Sequence, residues 1–123
     1  MNKQWIVPAP VLRFDKPLRE LLPVFEKEDG APLYLLIDQQ ECLAGCVRVE
    51  SLLRFFQFGA QMDLSAWDLR EQRALIARDE PDTLLAMLGK GRPILVAGRN
   101  GRPLGVLDET AFLLEQLEAM CGR

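Results

Sequence analysis

Leu18, Leu21, Leu22 and Phe25 fall at i, i+3, i+4 and i+7, the spacing that lines one face of a helix. Asp15-Lys16-Pro17 opens that helix, with Asp15 as its predicted N-cap, and Gly30 and Pro32 end it. The period then changes. Leu33-Tyr34-Leu35-Leu36-Ile37 is a continuous apolar run, which predicts a short strand covered on both faces. The polar turn Asp38-Gln39-Gln40-Glu41 reverses the chain into a returning strand, Leu43-Ala44-Gly45-Cys46-Val47. Val49, Leu52, Leu53 and Phe56 restore the helical spacing, and Phe58-Gly59 closes this second helix.

The same order returns about 60 residues further on, so the chain is an internal repeat, with residues 1–60 as the first copy plus an N-terminal extension and 61–123 as the second. A linker over 61–73 holds Leu64, Trp67 and Leu69, which are placed to pin the connection onto the core. Ala74-Leu75-Ile76-Ala77 predicts a short strand. Asp79-Glu80-Pro81 repeats Asp15-Lys16-Pro17, and Leu84, Met87 and Leu88 give the following helix its buried face. Pro93-Ile94-Leu95-Val96-Ala97 repeats Pro32-Leu33-Tyr34-Leu35-Leu36, and Gly105 repeats Gly45. Between the two later strands lies Arg99-Asn100-Gly101-Arg102. Asn-Gly between apolar runs predicts a hairpin, because both residues tolerate positive φ. The last helix, from about Glu109 to Met120, carries Phe112, Leu113, Leu114, Leu117 and Met120, a stripe broader than one core contact requires. Burial on a second side, as at a dimer contact, accounts for the excess.

Composition narrows the functional classes. A net charge of −3 over 123 residues gives no cationic field for nucleic acid or anionic lipid. The apolar runs are strand-sized, far short of the ~20 residues that cross a bilayer, and the N-terminus lacks the apolar stretch of a signal peptide. A cytoplasmic location is expected. The three cysteines, Cys42, Cys46 and Cys121, are an odd count in a chain with enough apolar residues for a core, which predicts reduced thiols. Cys42 and Cys46 form a lone C-x3-C with no histidine anywhere to complete a metal site, and without histidine the commonest general base is missing too. No metal and no catalytic activity are expected. Gly89-Lys90-Gly91 and the glycines at 98 and 101 lack the spacing of phosphate loops and read as turns.

The doubled order of elements resembles the tandem cystathionine-β-synthase-type (CBS) domain pair, or Bateman module, over about Pro10 to Met120. The marks that carry it are Pro plus apolar strand, polar hairpin, then Leu43-Ala44-Gly45-Cys46-Val47 or its shorter form Leu104-Gly105-Val106-Leu107, with a helix directly after. The resemblance implies an α/β fold, two β-α-β-β-α repeats packed about a pseudo-twofold axis in one module, with two clefts between them. It also implies a non-catalytic regulatory role, homodimers, an effector protein or domain, and adenine nucleotides such as AMP and ATP, or S-adenosylmethionine, as ligands.

The family's ribose and phosphate contacts come from Gly-hydrophobic-hydrophobic-Thr/Ser-x-x-Asp/Asn. In the first copy Arg48 stands for the hydroxyl and Ser51 for the carboxylate; in the second Asp108 stands for the hydroxyl and Ala111 for the carboxylate. Asp108 is placed to cap the last helix, where it fills the partial positive charge that would hold a phosphate. Arg48 offers charge-assisted donors to an anion, or else is solvated or pairs with Glu50 or another acid. Hairpin pairing brings Arg92 near Asp108, and an ion pair between them is the simple outcome. Arg48, Ser51, Arg92 and Asp108 are thus the candidate rim of a cleft that senses a small anionic or nucleotide-like ligand. The alternative is a ligand-independent dimerisation or protein-interaction module, which the missing ribose carboxylates favour.

Overall fold

The computed structural model describes residues 4–21, 31–52 and 64–121. Among the described residues the strands are β1 (Ile6–Val7), β2 (Val11–Arg13), β3 (Leu33–Ile37), β4 (Leu43–Arg48), β5 (Leu75–Arg78), β6 (Ile94–Ala97) and β7 (Pro103–Leu107), and the helices described from end to end are α1 (Pro81–Met87) and α2 (Glu109–Cys121); residues 49–52 are also helical. Short 3-10 turns cover Leu18–Glu20 and Trp67–Leu69. One sheet runs β2-β3-β4 and the other β1-β7-β6-β5. Within each, a parallel pair (β2 with β3, β5 with β6) adjoins an antiparallel hairpin (β3 with β4, β6 with β7).

The apolar runs are buried on both faces, and the two faces serve different cores. Tyr34, Leu36 and Val47 join Leu18, Leu21 and Leu52 in the first core, while Ile94, Val96 and Leu107 join Leu84 and Phe112 in the second. The alternate residues Leu35, Cys46, Leu95 and Ala97 point the other way and meet in a third cluster, with Leu33 and Val106 packed against it. That cluster is the seam where the two sheets bury one another. Trp67 and Leu69 pack against the first core, and Arg70 lies 4.1 Å over the Trp67 ring.

Strand register relates the halves more closely than residue matching does. Leu36 pairs with Gly45 as Val96 pairs with Gly105, so Leu35 corresponds to Leu95 and Pro32 to Arg92, one residue off the Pro32–Pro93 match. On the parallel side Val11 pairs with Leu35 and Ile76 with Leu95, which sets Pro8 against Arg73. The N-terminal extension crosses the repeat boundary. β1 pairs antiparallel with β7 of the second half before the chain enters β2 of the first.

Several local expectations are corrected. Asp15 does not cap a helix; the residue flanking the 3-10 turn is Pro17, and Asp15 pairs with Arg13 at 3.4 Å. In the second hairpin only Gly101 takes positive φ (86°), and the loop closes with Gly98 N–H donating to Arg102 O at 2.8 Å beside a register shift at Val96/Ala97. This is a three-residue loop with a bulge rather than a two-residue turn. The first hairpin has the same form, with Glu41 at φ 63° in the glycine's place. The continuations of the early helices through Leu22 and Phe25, and through Leu53 and Phe56 to Phe58-Gly59, lie outside the described residues.

Candidate functional site

The cleft begins where β1 hands over to β2. Val7 belongs to the second sheet and Val11 to the first, so Pro8-Ala9-Pro10 bridge the two; the prolines fix φ and keep the bridge extended. A second wall, Ala31-Pro32-Leu33, leads into β3, and Val106 and Leu107 at the end of β7 form the third. Together they enclose about 380 Å³, within the range of small-molecule sites. All the walls come from segments near the seam, so an occupant touches both repeats at once.

Gly105 makes this arrangement possible. A Cβ there would collide with the Val7 carbonyl oxygen, so only glycine lets β1 lie against β7. Trp5, just before β1, anchors the strand with its ring edge-on to Phe112 at 5.6 Å, and its carbonyl accepts from Asp108 N–H at 2.7 Å.

Asp108 follows Leu107 at the cleft's third wall. Its Oδ1 accepts from Ala111 N–H at 3.1 Å, the capping role the sequence suggested, and Glu109 Oε1 accepts from Gly89 N–H at 3.0 Å. The first turn of α2 therefore carries two carboxylates engaged with backbone donors.

None of Arg48, Ser51, Arg92 and Asp108 is a wall residue of this cleft; Asp108 only follows the wall residue Leu107 in the chain. Arg48 ends β4 and sits 3.8 Å from Glu71, so it pairs with an acid other than Glu50. Glu71 in turn accepts from Arg73 N–H at 3.0 Å, and the Arg92 Nε–H donates to the Arg73 carbonyl. The expected Arg92–Asp108 pair does not form, because segment 71–73 takes the guanidinium and the helix takes the carboxylate. The structure thus brings Arg48 and Arg92 together around Glu71 and Arg73, and leaves Asp108 at the apolar cleft. Ser51 is exposed in the helical stretch that directly follows β4. Beneath Arg48, burial pushes the Cys46 thiol up to about 11, with Arg48 opposing the rise and Glu71 adding to it.

Sequence reading passed over the walls themselves. Val7, Pro8, Ala9, Pro10 and Ala31 carry no chemical signal, and Pro32 reads only as the end of a helix and the start of a strand. What gives them a role is the β1–β7 pairing, which joins residues about 100 apart in the chain.

No family model and no curated protein matches the sequence. Solved structures do. A CBS domain protein from Pyrobaculum aerophilum complexed with AMP matches with a TM-score of 0.64 at 20% identity, over 91% of this chain and 93% of that one. A CBS domain pair/ACT domain protein from Thermotoga maritima gives 0.57 at 20% identity, over 94% and 95%. The fold is that of a tandem CBS pair. OpuCA of Staphylococcus aureus matches it too, with a TM-score of 0.66 at 11% identity over 95% of this chain and 99% of that one. Two sheets of matching order, each a parallel pair beside a hairpin, agree with that fold, and the cleft lies where segments of both sheets meet. Among the described residues no helix is long and apolar enough to cross a membrane.

Proposed function

We propose that this CBS pair is a cytoplasmic, non-catalytic regulatory module that senses a small nucleotide-like ligand in the cleft between its repeats and passes the signal to a partner or attached domain. The observation that carries the reading is the cavity of about 380 Å³ whose walls belong to both sheets and to the segment crossing between them. An occupant that touches both repeats favours one relative placement of the sheets, and binding energy that differs between placements is what a sensor transmits. AMP in the Pyrobaculum protein, and ATP in the cytosolic domain of the Mg2+ channel MgtE (12% identical, TM-score 0.66), support adenine-bearing candidates. Asp108 bounds the apolar end of the seam. Arg48 and Arg92 are the groups an anionic ligand would meet at the other.

A thermal-shift panel of adenosine, AMP, ATP and S-adenosylmethionine tests the reading. A ligand at 100 times its Kd stabilises the fold by about 2.7 kcal/mol. A shift with one or more supports sensing, and no shift with any refutes it.

A second reading has its own support. Leu113, Leu114, Leu117 and Met120 project from α2 into solvent, Met120 at 81% exposure. Such a stripe fits a homodimer contact or an effector surface, and on this reading the module works without ligand. Light scattering decides the homodimer: a concentration-independent monomer excludes it.

A further inference from the structure

We propose that the cleft walled by Val7–Pro10, Ala31–Leu33 and Val106–Leu107 takes an uncharged, largely apolar small molecule, such as a nucleoside or another unphosphorylated heterocycle, and excludes phosphorylated ligands. This rests on the sensor reading and names the ligand class for that site.

Three observations converge. First, every wall residue is Val, Leu, Ala or Pro, with no side-chain donor and no cation among them. Second, the backbone adds few donors: Pro8, Pro10 and Pro32 have no N–H to offer, and Asp108 N–H is committed to Trp5 O. Third, the first turn of α2, where a phosphate would find free N–H groups, is occupied: Asp108 takes Ala111 N–H, and Glu109 adds a second negative charge. A phosphate brought here would lose water, gain no side-chain donor from the walls and approach the carboxylate of Asp108, which directly follows the wall residue Leu107.

The register-equivalent positions in the other half show that this is a choice of residues rather than a property of the fold. Where the cleft has Pro8, Pro32 and Asp108, the opposite end of the seam has their register equivalents Arg73, Arg92 and Arg48. Three cations and Glu71 stand at one end; three apolar segments and a carboxylate stand at the other. The two ends of one seam are therefore sorted by charge among the described residues, and the cavity walled by Val7–Pro10, Ala31–Leu33 and Val106–Leu107 lies at the end without cations.

Two matched probe pairs test the proposal by calorimetry and fluorescence on the full chain: adenosine against AMP, and N-phenylnaphthylamine against its sulfonated counterpart, anilinonaphthalenesulfonate. The neutral member should bind more tightly, by about tenfold for adenosine over AMP, the factor that two phosphate charges roughly 6 Å from a carboxylate give in a water-like dielectric. Raising the salt should narrow that gap, as should Asp108→Asn. Val7→Trp, which keeps a strand-compatible side chain while filling the cavity, should abolish binding of the neutral probes; Ala31→Phe serves as the second filling variant. AMP binding as tightly as adenosine, with both lost in Val7→Trp, would overturn the uncharged class and leave the sensor reading standing. Binding that survives both filling variants would place the ligand elsewhere and overturn the assignment of this cleft. Failure of all four probes to bind would overturn the proposal, and the panel with ATP and S-adenosylmethionine then decides the sensor reading separately.

Discussion

Among the described glycines, Gly105→Ala should be the most damaging substitution. The new Cβ would be built into the Val7 carbonyl oxygen and would also crowd the Ile6 side chain at 2.9 Å, and backbone cannot swing aside as a flexible side chain can. The cheapest escape is to release β1 from β7. That gives up the Ile6–Leu107 and Val7–Val106 pairs and the Asp108 N–H bond to Trp5. At roughly 1 kcal/mol for each of a few backbone bonds, the loss is about 3 kcal/mol before any exposure of Trp5 and Ile6. For a domain of this size that corresponds to a fall in Tm of about 10 °C. The fold supplies its own control, because Gly45 occupies the same register position in the other repeat, and a Cβ there would lie 3.6 Å from the Trp67 ring, ordinary contact. Gly45→Ala should cost under about 1 kcal/mol. Circular-dichroism melts and urea titrations of the two variants make the comparison. Equal losses, or a Gly105→Ala melt within about 3 °C of wild type, would refute the claim that β1 is wedged against a glycine.

Three further outcomes follow from the geometry. Glu41 holds φ 63° where the matching hairpin has Gly101, so Glu41→Gly should relieve about 1 kcal/mol of left-handed strain, offset in part by unfolded-state entropy and by the exposed Arg102 pair at 3.7 Å; a net loss in urea titration would contradict this. Cys46 keeps its proton in the folded state up to about 11 against an ordinary value of 9.0, so its contribution is complete below pH 9 and is lost as pH rises toward 11, at about 1.4 kcal/mol per pH unit. Cys46→Ala should flatten that alkaline slope, and a thiol reagent at pH 8 should modify Cys121 well before Cys46; a fast-reacting Cys46 would count against its burial. Leu114→Glu with Met120→Glu should leave the melt within about 0.5 kcal/mol of wild type while converting a dimer to a monomer on light scattering, and a dimer that persists would move the contact away from α2.

The cores were legible because burial on both faces leaves no polar residue in a strand, and Leu33–Ile37 and Ile94–Ala97 have none. The hairpins were legible from their polar tips, although their φ angles were not. Asn100 was free to take positive φ, yet the loop closed by Gly98 and Arg102 needs only Gly101 to do so, and Glu41 fills the same role without any glycine to announce it. The cleft was the hardest part to read. Its walls are small apolar residues and prolines, whose identity says nothing about what lies opposite, and they meet only because a two-residue strand reaches across to the other repeat. The charged candidates drew attention by their chemistry. The structure engages Arg48 and Arg92 with segment 71–73, and it leaves Asp108, read correctly as a cap, beside the cavity.

The proposed sensor binds its small molecule between the repeats, against the segment that crosses from one sheet to the other. Backbone amide chemical shifts recorded while adenosine is titrated into labelled protein test it residue by residue. The account predicts one contiguous set of saturable changes at Val7, Ala9, Ala31, Leu33, Val106 and Leu107, with the surface of α2 unmoved. Changes confined to α2, or none at the walls at saturating adenosine, would contradict it.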